Sequence, residues 1–221
     1  MTPTNVTWEA ELAAAKNGEP TFSNITLSPC RLTAYVNISK QLLVQDTLSV
    51  EATIREDLYK AVQHKLESTI FGDGAAVAGK MPAGILYNVT PTEVSDFAGI
   101  AGIEAEVECN NVFGDNLKWI VNPKFKAAMR ALSLGQNVSG NLFVNNEIAG
   151  TPALSTGHLD ENLAIYGDWS NLVIAQWGGI DLTVDPYSLA DTAQIRLVIN
   201  CYFDAKVIRP EAFGFAEYSA D

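Results

Sequence analysis

From Phe22 to Ile38 apolar and polar positions alternate, through Ile25 and Leu27 and then, past Pro29, through Leu32, Ala34, Val36 and Ile38. A period of two marks a strand with one buried face, and a proline inside it marks a break or bulge. The stretch before it is polar and alanine-rich and closes on Gly18 and Pro20, so residues 1–38 read as an extended β-arm. So narrow an apolar face is not stable alone, and the arm has to lie on something. Ser39 stands where an N-cap belongs, ahead of a short helix over 40–46. A second cap candidate, Ser49, opens the longest helical pattern in the chain. Val50, Ile54, Leu58, Ala61, Val62, Leu66 and Ile70 recur in steps of three and four, with Glu51, Arg55, Glu56, Lys60 and Lys65 on the other faces. At about 1.5 Å per residue this helix is roughly 30 Å long. Gly72 and Gly74 end it.

Residues 75–92 read as loop, including Pro82-Ala83-Gly84-Ile85-Leu86. Helical spacing returns over 92–107 through Val94, Phe97, Ile100 and Ile103, and Leu117 to Val121 is a short buried strand. Asn122-Pro123 then starts a helix running to about Leu132, with proline in the first turn, where its missing N–H costs nothing. Short strands dominate the remainder: 142–144, 163–166, 172–176, 180–184 and 195–207. With no repeat, linker or low-complexity segment, the class is α+β, one interlocked unit.

Composition narrows what this unit does. The chain has 221 residues, 48% of them hydrophobic, but only 18% are charged. That is below the usual quarter, as in proteins whose surface is partly covered by partners. The balance is acidic, 14 Lys+Arg against 26 Asp+Glu, which argues against a general nucleic-acid binder. Between Arg130 and Arg196 there is no Lys or Arg, while Glu147, Asp160, Glu161, Asp168, Asp181, Asp185 and Asp191 fall there. Cys30, Cys109 and Cys201 form no CxxC and read as buried thiols of a reducing compartment. The N-terminus lacks a signal-peptide pattern, and no apolar run approaches the roughly 20 residues that span a bilayer. Five N-x-S/T sequons, at Asn5, Asn24, Asn37, Asn88 and Asn137, would suit a surface glycoprotein or binding module, but without an export signal they read as chance.

Candidate chemistry is thin. Gly74-Ala-Ala-Val-Ala-Gly79-Lys80 matches the first seven positions of a phosphate-binding loop and supports a nucleotide-binding enzyme as one alternative. Met81 stands where such a loop needs Ser or Thr, Pro82 follows, and the segment comes after a helix instead of a strand. His64 and His158 have no second histidine at ligand spacing, and each reads as solvated or satisfied. No GxSxG occurs, and Cys109 has no evident histidine partner. Glu104, Glu106 and Glu108 scatter round a helix and read as a solvated acidic face. No catalytic residue, cofactor or metal site is expected.

The order of features resembles the major capsid proteins of tailed bacteriophages, the Hong Kong 97-type coat family, from about Thr21 to Phe213. The resemblance rests on Thr21-Phe22-Ser23 through Ile38-Ser39-Lys40-Gln41-Leu42-Leu43, the long helix ending in Phe71-Gly72-Asp73-Gly74, and Pro82-x-Gly84-Ile85-Leu86. It continues through Trp119-Ile120-Val121-Asn122-Pro123, Gly150-Thr151-Pro152, Tyr166-Gly167-Asp168-Trp169-Ser170 and Arg209-Pro210-Glu211-Ala212-Phe213. It implies an extended loop over 1–38, a peripheral domain over 39–89 and 169–208 carrying the long spine helix, and an axial domain over 90–168 and 209–221. The implied function is structural. Copies assemble into pentamers and hexamers of a virion shell in the bacterial host cytoplasm, with portal, scaffold or decoration proteins as further partners. Packaged DNA is met only non-specifically, an acidic inner surface leaving the polymer free to move. Trp8, Lys16, Phe22 and Arg31 are the candidate subunit-interface residues. An encapsulin-type compartment shell is the alternative within the same fold.

Two departures stand out. The family's members carry more sequence ahead of the extended loop, so a shortened or processed chain is expected. Some members also crosslink a loop lysine to a neighbour's asparagine with help from a glutamate. Lys16 suits the lysine, but the matching positions downstream are Ala193 and Asn200, which implies a non-covalent shell.

Overall fold

The computed structural model describes residues 24–45, 50–133 and 140–219. Its elements are β1 (Cys30–Ser39), α1 (Lys40–Val44), α2 (Val50–Ile70), β2 (Thr92–Val94), α3 (Phe97–Cys109), β3 (Leu117–Val121), α4 (Pro123–Ala131), β4 (Phe143–Val144), β5 (Glu147–Ile148), β6 (Thr151–Ser155), β7 (Leu163–Asp168), β8 (Leu172–Gln176), β9 (Asp181–Asp185), β10 (Gln194–Val207) and β11 (Phe213–Tyr218). Single 3-10 turns lie at Trp169–Asn171 and Pro210–Ala212.

The alternating stretch becomes a strand only past Pro29. β1 pairs antiparallel with β10 along its whole length, from Cys30 opposite Phe203 to Ser39 opposite Gln194. Residues 24–29, expected to be strand, have no ladder and are held by side chains instead. The Ser28 N–H donates to Asp204 Oδ2 at 2.8 Å, and the Lys206 ammonium donates to the Thr26 carbonyl. In β1 the alternation does what its period demands: Leu32, Ala34, Val36 and Ile38 turn inward, while Arg31, Thr33, Tyr35 and Asn37 face out. β8 and β9 pair with the other edge of β10, giving a four-stranded sheet with β1 at its border. Ser39 caps α1 as expected, its Oγ accepting from the Gln41 and Leu42 N–H groups; the helix stops at Val44. The second cap candidate, Ser49, lies outside the described residues.

α2 has the bounds that the hydrophobic spacing predicts. Leu58 and Val62 pack with Ile38, Leu197, Ile199, Cys201 and Phe203 into a core between this helix and the four-stranded sheet. The C-terminal carbonyls of α2 lack partners within the helix, and the Pro82–Leu86 loop supplies some. Ile85 N–H donates to Ile70 at 2.8 Å and Leu86 N–H to Gly72 at 3.2 Å. The approach is so close that a Cβ on Gly84 would lie 1.9 Å from the Gly72 oxygen.

The second sheet has seven strands in the order β2-β11-β7-β3-β6-β5-β4, over its own core. Trp119, Tyr166, Phe125, Ile100 and Met129 are its largest fully buried side chains. α3 packs on β11, β2 and β7, made possible by Gly214, where a Cβ would stand 2.6 Å from Ile103 Cγ2. The helical pattern predicted from Thr92 begins instead at Phe97. Thr92–Val94 pairs in parallel with Ala216–Tyr218, and Asp96 stops the strand and caps the helix by accepting from the Gly99 N–H at 2.8 Å. α4 starts as expected, with Asn122 accepting from the Lys124 N–H and Pro123 in the first turn. β2, β5, β6 and β11 are strands that the hydrophobic pattern did not reveal.

Candidate assembly surfaces

The segment that matches a phosphate-binding loop is a tight turn. The N–H groups of Lys80 and Met81 both donate to the Val77 carbonyl, at 2.9 and 3.0 Å, so they are not presented to a phosphate. The element directly before the segment is the helix α2 and the next one after it is the strand β2, the reverse of the strand-to-helix setting that a phosphate loop needs. The two histidines, distant in sequence, meet in space. His64 on α2 and His158 in the β6–β7 loop stand edge to face with ring centroids 4.4 Å apart, and His158 Nε2 lies 3.0 Å from Glu67 Oε2. His64 is exposed and His158 is satisfied by Glu67, as expected. Among the described residues no group of three or more His, Cys, Asp or Glu is placed to hold a metal ion.

Two sequence readings need correction. Cys30 and Cys201 are buried, and burial raises both thiol pKa values, but Cys109 at the end of α3 is exposed. The helix ends there, so the third thiol has no second layer to cover it. Glu104 is not part of a solvated face. It lies over the sheet and accepts from Trp119 Nε1 at 2.9 Å. Burial raises its pKa, the hydrogen bonds from Trp119 and Thr151 oppose this, and the charge of Glu108 adds to it. Beneath it Tyr166 is pushed up to about 12 by burial and then by Glu104 and Glu108. Glu106 and Glu108 are exposed, as read. Periodicity alone had no means of seeing that the indole would reach one of three alternating carboxylates.

A cleft of about 730 Å³ lies between residues 24–30, the loop after α2 and the end of β10. Its lining is mainly apolar, and Asp204 and Lys206 are already engaged by Ser28 and Thr26. That is a joint between segments, without the convergent polar groups of a ligand site.

Of the four residues assigned to the subunit interface, Trp8, Lys16 and Phe22 lie outside the described residues. Arg31 stands on the outward face of β1, beside Tyr202 across the ladder. The same face carries Tyr35, 63% exposed, with the Arg196 guanidinium 4.9 Å above its ring. Exposed tyrosines and arginines on one face of a sheet have the composition of protein contact surfaces. Ala193 occupies a turn with φ of +52°, and Asn200 sits within β10 between Thr33 and Asp181.

With these surfaces described, known proteins supply the comparison. A model of the Phage capsid family matches residues 1–218. The major capsid protein of Halomonas phage phiHAP-1 is 24% identical over 221 residues, an alignment that covers 97% of this chain and 36% of that protein. The chain thus spans about a third of that curated relative's length. Among solved structures, a chain of Gordonia phage Cozz superposes with a TM-score of 0.74 at 14% identity, covering all of this chain and 80% of that one. The capsid of the native GTA particle gives 0.73 at 18% identity, covering 99% and 82%. A chain of Mycobacterium phage Adephagia gives 0.74 at 13%, covering 100% and 83%. The fold is that of phage capsid proteins of the Hong Kong 97 type, and the chain belongs to the phage capsid family.

Proposed function

We propose that this chain is a shell-building subunit of a phage or prophage major capsid protein, with a structural and non-enzymatic role. The observation that carries the proposal is the family match along residues 1–218. It favours a virion shell over an encapsulin-type compartment. No helix among the described residues is long and apolar enough to cross a membrane. In this reading residues 1–38 form the extended loop, 39–89 with 169–208 the peripheral domain, and 90–168 with 209–221 the axial domain. Two cores support the division, one around α2 and β10 and the other around α3, α4 and the seven-stranded sheet, with Ile85 and Leu86 of the 39–89 segment reaching into the second.

The mechanism is geometric. Different faces of neighbouring copies meet head to tail, and such heterologous contacts close into rings. Trp8, Lys16, Phe22 and Arg31 tie each subunit to the next, and without a crosslink acceptor the shell is non-covalent. Shells assemble in the host cytoplasm, and the acidic stretch from Glu147 to Asp191 suits a surface that meets packaged DNA without gripping it. Sedimentation velocity across a dilution series tests this reading. Concentration-dependent association is expected, weakened but with the fold retained when residues 1–20 are removed. A single-copy species at every concentration would overturn it. A thermal shift with ATP and magnesium would instead support the nucleotide-binding alternative.

A further inference from the structure

Charge is divided unusually in the middle of the chain. From 81 to 117 there are Glu93, Asp96, Glu104, Glu106, Glu108 and Asp115 but no Lys or Arg; from 118 to 146 there are Lys118, Lys124, Lys126 and Arg130 but no Asp or Glu. The seven-stranded sheet carries parts of the two sets to its opposite borders. At the β2 border Glu93 and Glu217 are exposed and paired across adjacent strands. Like charges placed side by side across strands repel. At the β4 border Lys126 and Arg130, one helical turn apart on α4, both stand over the Phe143 ring, at 5.0 and 5.2 Å. Beside them Val144 is half exposed. Among the described residues no ion pair reaches Glu93, Glu217, Lys126 or Arg130, whereas the neighbouring Lys124 has Glu161 at 2.5 Å. Among the described residues each border thus holds a like-charged pair that no ion pair of its own subunit neutralises; Glu147 stands opposite Val144 at the β4 border but pairs with neither Lys126 nor Arg130.

We propose that these borders are the two halves of one contact: the β2 edge of one copy, with Glu93 and Glu217, docks on the α4–β4 edge of the next copy, with Lys126 and Arg130. The occupant is a second copy because the complementary charges lie on two different edges of the same sheet. That arrangement is heterologous and chains subunits round a ring. The contact rests on the capsid reading and specifies which surfaces meet.

Charge reversal tests it. Lys126→Glu with Arg130→Glu makes both borders acidic, and Glu93→Lys with Glu217→Lys makes both basic. Each double variant should melt like wild type and need about tenfold or more higher concentration to associate. If a reversal perturbs the melt, the neutral pairs Lys126→Gln with Arg130→Gln and Glu93→Gln with Glu217→Gln take its place, each weakening association in the same direction. An equimolar mixture of the two reversed proteins should regain rings with alternating subunits. Native mass spectrometry should then show mixed hexamers but not pentamers, because an odd ring cannot alternate. Association of either reversed variant at the wild-type concentration, or a mixture that stays dissociated, overturns the contact while leaving the capsid reading intact. Failure of the wild-type chain to associate at all overturns both.

Discussion

Gly84→Ala puts the joint between α2 and its following loop to a quantitative test. A methyl group at this position would lie 1.9 Å from the Gly72 oxygen and 2.5 Å from its carbonyl carbon. A carbon–oxygen contact relaxes at about 3.3 Å, so the two backbones must part by more than an ångström. That separation breaks three bonds, Gly84 N–H to Gly74 (3.0 Å), Ile85 N–H to Ile70 (2.8 Å) and Leu86 N–H to Gly72 (3.2 Å). At about 0.5–1.5 kcal/mol each they contribute about 1.5–4.5 kcal/mol together. Ile85 and Leu86, now 8% and 5% exposed, also lose part of a burial that stabilises by about 1.5–3 kcal/mol per side chain. The expected cost is about 3–6 kcal/mol, high for one substitution. Urea unfolding followed by circular dichroism measures it, with Gly79→Ala as control. Gly79 has φ of +68° but nothing within 4 Å of an added Cβ, so its substitution costs only the backbone strain of about 1–2 kcal/mol. Coincident midpoints for the two variants would refute the close docking of the loop.

Other substitutions probe separate parts of the fold. Leu58, 3% exposed in the core beneath α2, should not tolerate aspartate: an unpaired buried carboxylate costs about 4 kcal/mol or more, and a wild-type melt for Leu58→Asp would misplace the helix face. Asn122→Ala removes the cap of α4 and also leaves the Leu159 carbonyl without its 2.8 Å donor; a loss of about 2–3 kcal/mol in chemical unfolding is expected. Glu104 has a folded pKa above the ordinary glutamate value, so the folded chain holds this proton more tightly than the unfolded one. Its contribution is present below the unfolded pKa and fades as pH rises through the folded pKa. Glu104→Gln keeps an oxygen for Trp119 Nε1 and cannot ionise. It should therefore melt higher than wild type at neutral pH and gain less on acidification towards the glutamate range, and identical pH profiles would contradict the buried carboxylate.

What the sequence disclosed follows from which elements are covered on one side only. α2 and the inward face of β1 have a single buried face, so their periods of about four and two emerge from the residues. β3, which has cover on both faces, was legible as a short apolar run. β11 was missed because Gly214 is small where α3 approaches and Ala216 is small as well, which leaves Phe213-Gly214-Phe215-Ala216 without a readable alternation. Val94 fits either period, and its partner strand decided for β. The His64–His158 contact and the Trp119–Glu104 bond join residues far apart in the chain, and nothing local announces them. The family was legible through the order of these segments and not through any catalytic chemistry, and the match over residues 1–218 bears that resemblance out.

Electron microscopy of the concentrated chain at physiological ionic strength tests the central claim most directly. Rings of five and six subunits, or closed shells built from them, are expected. A field of uniform single-copy particles at concentrations far above those of assembly would contradict it.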